Sequence, residues 1–189
     1  DGDNSVGAKV YVQTQQGLRN LLRIQKCIMV DNPEHTIDLD ELELRGKGNV
    51  LVLDKYSSRY IYENHETISK LATLFDKVYY QVDLSEFKAE RIDIRVLEAT
   101  KFYFDNLYAD GCVPPVLICD CYYLDKDDAK NKVILNKIAE GAAHEQSNDQ
   151  YYKDADEHYA VFEQLFDQYK WDIGKLFREC CEGTIYIAE

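Results

Sequence analysis

Glycine and proline are scarce in this chain, at nine and three among 189 residues. So few glycines leave little material for tight backbone cradles around phosphate. Both glycine signatures of nucleotide sites, Gly-x-x-x-x-Gly-Lys-Ser/Thr and Gly-x-Gly-x-x-Gly, are missing. Gly46-Lys47-Gly48 precedes an apolar run, whereas a phosphate loop follows its strand. No apolar run approaches the length that spans a bilayer, and no signal-type stretch or Asn-x-Ser/Thr sequon is present. The zinc-hydrolase pattern His-Glu-x-x-His is not completed, because His144-Glu145 is followed by Gln146-Ser147-Asn148.

Basic charge is the other shortage. Twenty-two Lys and Arg face 35 Asp and Glu, a formal net charge of −13. Such a surface repels phosphate backbones and anionic headgroups. The expectation is therefore a chain that binds neither nucleic acid nor membrane, and whose natural macromolecular partner is a basic protein.

What is present is a globular composition, 46% hydrophobic and 30% charged, with 15 tyrosines against seven Phe and one Trp. Length and composition predict a single α/β domain over 1–189, with a loose tail at 1–7 and a helical appendage over 144–182. Tyrosine suits half-buried positions and binding faces, since it joins an apolar ring to a polar tip. Six cysteines in a chain of this size read as reduced thiols, which fits a cytoplasmic protein.

The order of patterns alternates strand and helix. Asn49–Leu53 is a continuous apolar run, as in a parallel strand covered on both faces, and Lys77–Leu84 and Val116–Leu124 read as further strands. Helical spacing appears over Gly17–Met29, with Leu18, Leu21, Leu22 and Ile28 inward; over Ile92–Tyr108; beyond Asp125 or Asp127, with Val133, Leu135, Ile138 and Ala142 inward; and over Tyr151–Tyr169. Asn64 reads as a helix N-cap. Trp171–Cys181 reads as a helix stopped by Gly183, and Ile185–Ile187 as a final edge strand. The pattern predicts a three-layer, mostly parallel open sheet with helices on both faces and a helical C-terminal segment.

In open parallel sheets ligands bind beyond the carboxyl ends of the strands. Asp54, Asp83 and Asp120 all sit at or near such ends. Converging carboxylates could hold Mg²⁺ or Mn²⁺, with Lys55 or Arg59 neutralising a substrate phosphate, which is one expectation: a metal-dependent hydrolase or phosphotransferase. A second candidate group is Cys119, Cys121, Cys180 and Cys181, four thiols for zinc, though Cys-x-Cys and Cys-Cys depart from the usual Cys-x-x-Cys knuckle. The favoured expectation needs no cofactor: a regulatory binding protein that offers Tyr151, Tyr152, Asp154, Asp156 and Glu157 to a basic partner.

Overall fold

The computed structural model describes residues 6–34, 36–85, 94–140 and 150–189. Four strands form one mixed sheet in the order β1-β2-β3-β4: β1 Ala8–Val12, β2 Asn49–Leu53, β3 Lys77–Val82 and β4 Pro115–Leu117. β1 runs antiparallel to β2, while β2, β3 and β4 are parallel. The helices are α1 Gln15–Lys26, α2 Leu39–Glu43, α3 Ser58–Glu63, α4 His65–Leu74, α5 Ile94–Asn106, α6 Ala129–Glu140, α7 Ala155–Phe166 and α8 Ile173–Ala188. Helices α3 and α4 connect β2 to β3, and α5 connects β3 to β4, which are the crossovers that parallel neighbours require.

β2 is buried along its whole length. Alternation sends Leu51 and Leu53 to one face, beside Val78, Tyr80 and Val82 of β3. That face packs on Ile61 of α3, Ile68 and Leu71 of α4, Val96 and Tyr103 of α5, Phe162 and Phe166 of α7, and Leu176 and Cys180 of α8. Tyr80 and Tyr103 stack at 4.2 Å between ring centres. Each such large side chain contributes about 1.5–3 kcal/mol by leaving water. The helices after residue 150 thus share the main core, because their aromatic side chains fill it. The opposite face shows Val50, Val52, Tyr79 and Val116, covered in part by Tyr11, Ile118 and Ile187.

Several sequence expectations are corrected. The predicted strand Val116–Leu124 is paired only as Pro115–Leu117, where Ile118 N–H makes a last ladder bond to Val82 O at 3.0 Å. The chain then leaves the sheet and re-pairs at Tyr123 with Tyr151. Gly183 does not stop a helix: α8 runs through it, and Ile185–Ile187 is helical rather than an edge strand. Leu135 and Ile138 of α6 face solvent, as do Leu18 and Leu22 of α1. Asn64 precedes α4 but does not cap it through its side chain, which donates instead to Tyr60 O at 3.0 Å. Of the tail predicted at 1–7, Val6 packs on the core and Gly7 O accepts the Asp54 N–H at 3.0 Å, while residues 1–5, Ala142 and the segment 144–149 lie outside the described residues.

Candidate functional site

Beyond the carboxyl end of β4 lies an open groove of roughly 370 Å³. One wall is the chain leaving the strand, with Leu117, Cys119, Asp120 and Cys121. A second is the approach to α7, with Tyr151, Tyr152, Lys153, Ala155 and His158, and the third is α8, with Phe177, Cys181, Thr184 and Ile185. This is the place and size at which open α/β sheets take ligands.

Two main-chain bonds hold the first two walls together: Tyr122 N–H to Gln150 O and Tyr152 N–H to Tyr123 O, both 2.9 Å. α8 is tied to the first wall by the Thr184 hydroxyl, which donates to Leu117 O at 2.8 Å. The start of α7 is fixed by a reciprocal cap. Glu157 N–H donates to Asp154 Oδ1 at 2.9 Å, and Asp154 N–H donates to Glu157 Oε2 at 3.0 Å. The Tyr151 hydroxyl donates to the other Glu157 oxygen at 2.9 Å. Lys153 is buried, with its ammonium 4.3 Å from the centre of the Tyr151 ring.

The three strand-end aspartates have different nearest partners. Asp54 accepts the Tyr56 N–H at 2.9 Å and closes the turn after β2; burial pushes its carboxyl up, partly offset by that bond and by Lys55. Asp83 is 1% exposed and takes Lys55 Nζ at 2.7 Å on one oxygen. Its other oxygen takes the Ser85 N–H at 2.9 Å and the Ser85 hydroxyl at 2.5 Å. Asp120 stands 3.9 Å from Lys9 Nζ. Arg59 lies over the Phe102 ring. Among the described residues, no three His, Cys, Asp or Glu side chains are grouped as a metal ion would need.

The cysteine quartet is split by helical geometry. Cys119, Cys121 and Cys181 line the groove, whereas Cys180, one position along α8, is fully buried in the core. Cys119 accepts the Leu84 N–H, and burial, helped by the Asp83 carboxylate, pushes its thiol up to about 12. Burial also raises Cys180 well above the ordinary thiol range. A thiol so raised carries almost no thiolate at neutral pH. Brief iodoacetamide treatment of the folded protein should therefore modify exposed Cys121 and spare Cys119 and Cys180. Peptide mass spectrometry reads this directly, and early labelling of Cys119 would contradict the geometry.

His158 sits half-buried on α7 and lines the groove. Its Nδ1 is buried without a hydrogen-bond partner among the described residues. Burial first, then the Lys153 charge, pushes its imidazole below the ordinary range, against the pull of Glu157, Asp154 and Asp83. With the folded value below the unfolded one of about 6.5, the unfolded chain binds more protons as pH falls. Stability present above that value is then lost as pH drops below it. His158→Gln should flatten this slope in urea titrations between neutral and mildly acidic pH; an unchanged slope would assign it to other groups.

Lys153, Phe177, Thr184 and Ile185 were not singled out in the sequence. Only a helix continuing past Gly183 brings the last two to the groove. No described helix is long and apolar enough to cross a membrane. Compared with known families and curated proteins, the sequence matches none of the family models and none of the curated sequences.

Proposed function

We propose that this chain is a binding protein that holds a basic, partly apolar segment of a partner protein in the groove between the β4 exit, α7 and α8. One observation carries this reading. The groove is walled by Tyr151, Tyr152, Phe177 and Ile185, and the turn that gives it Ala155 and His158 also carries exposed Asp154, Asp156 and Glu157. The cap fixes two of these carboxylates before any partner arrives, so little ordering is required on binding. Asp120 adds a fourth acid on the facing wall. Aromatic side chains supply contact area, and the acids supply selection for cations and a fast encounter.

The test uses a fluorescein-labelled peptide alternating lysine and leucine, followed by anisotropy. Saturable binding that weakens as salt rises is expected, and Ala155→Trp, which fills the groove, should abolish it. Absence of binding at low salt, or binding indifferent to Ala155→Trp, overturns the proposal.

A further inference from the structure

The sequence from 15 to 30 contains no acid, in a chain where acids outnumber bases, and its three charges are Arg19, Arg23 and Lys26. In α1 and the π-type turn that follows it, these bases fall in one row with Val30, spaced i, i+4, i+7 and i+11. The adjacent row is Leu18, Leu22, Gln25 and Met29. Leu18, Leu22, Met29 and Val30 are 46%, 57%, 66% and 72% exposed. The inward side is Gly17, Asn20 and Ile24. Lys26 pairs with Asp31 at 2.9 Å, while Arg19 and Arg23 have no ion-pair partner among the described residues. The exposed face is thus an apolar stripe with cations along one side.

A helix lying on a lipid surface keeps cations on both flanks of its apolar stripe, and the acidic remainder of this chain would be repelled by anionic headgroups. Cations on one side fit a protein groove whose acids are concentrated on one lip. The groove described above has that form. Its α7 wall carries Asp154, Asp156 and Glu157 against the single Asp120 on the β4 exit, and its α8 wall offers Phe177, Thr184 and Ile185. α6 also exposes Ile134, Leu135 and Ile138, but Lys130 and Lys137 lie on one side of that face and Lys132 on the other, and Asp125, Asp127 and Asp128 precede it. α1 is therefore the better match.

We infer that the basic segment taken by the groove is α1 of a second copy of this chain. The inference rests on the binding reading above and names its partner. α1 packs against β1 and β2 and begins where β1 ends, at the amino end of the parallel strands. The groove lies past the carboxyl end of β4, at the other edge of the sheet. One molecule can use both surfaces at once, so the contact is head-to-tail and builds chains or a closed ring.

Sedimentation velocity of the whole chain tests this. Mass above the monomer should grow with concentration and fall as salt is added. Arg19→Glu with Arg23→Glu should weaken association about tenfold or more, and so should Asp120→Lys with Asp156→Lys. An equimolar mixture of the two variants should reassociate and stop at a dimer, because one intact helix meets one intact groove. Ile134→Glu in α6 should change nothing. The labelled lysine–leucine peptide should still bind the first variant and not the second. If the wild type stays monomeric while the peptide binds, self-docking is overturned and the groove reading stands; if the peptide also fails, both fall. Association that survives both charge reversals, or is dissolved by Ile134→Glu, also overturns the inference.

Discussion

Lys55→Met is expected to cost about 3–5 kcal/mol of folding stability, because it strands a carboxylate in the interior. The side chains of Asp83 and Lys55 are 1% and 11% exposed and meet at 2.7 Å. Ser85 adds two further bonds to the other Asp83 oxygen. Without the ammonium, these bonds alone must support a buried charge. The pair also joins the turns that follow β2 and β3, and the Tyr80 hydroxyl, buried in the core, bonds Lys55 O at 2.7 Å. Removing Asp83 as well, in Lys55→Met with Asp83→Leu, should recover most of the loss, although the Ser85 N–H then lacks its acceptor. Urea unfolding of the single and double variants measures the coupling. A loss within about 0.5 kcal/mol for Lys55→Met, the scale of an ordinary surface change, would refute the buried-pair account.

That pair also explains why the strand-end aspartates misled a reading of the sequence. The rule that ligands gather at carboxyl ends of parallel strands points to the end of the sheet where the groove opens and Asp120 lines it. It could not tell which acids were already spent. Lys55 is the residue after Asp54, yet it bonds Asp83 just past the end of the neighbouring strand, a choice made by the parallel register Leu53↔Tyr80. β2 is legible because burial on both faces leaves a continuous apolar run, and β3 because Val78, Tyr80 and Val82 alternate onto one side. The strand reading of β4 runs too far because Ile118, Cys119 and Tyr123 are apolar for packing, although pairing ends at Leu117 and the chain beyond it gives Cys119 to the groove wall. Composition and chain position point to Tyr151 and Tyr152, and both line the groove. The α8 wall was missed entirely, and a single glycine accounts for that.

Gly183→Leu is expected to cost about 3 kcal/mol, the upper end of overpacking effects, even though leucine favours helix over glycine by nearly 1 kcal/mol. A glycine followed by a β-branched run ordinarily marks a helix stop and a strand, in which case leucine here would do little harm. In the fold, Gly183 is buried in α8 where the helix crosses β4. A Cβ would lie 2.9 Å from Pro115 O and 3.1 Å from both the Tyr79 ring and Val116 Cβ. A main-chain carbonyl cannot swing aside, so α8 must lift from the sheet. Lifting breaks the Thr184–Leu117 bond, exposes Val116 and Tyr79 to water, and separates the α8 wall from the rest of the groove. Far-UV circular dichroism should therefore keep its helical signal while the near-UV tyrosine signal, which includes the Tyr79–Tyr186 contact at 6.2 Å, is reduced. Binding of the lysine–leucine peptide should fall with it. Full stability together with an unchanged near-UV spectrum would show that α8 does not rest on β4 through Gly183.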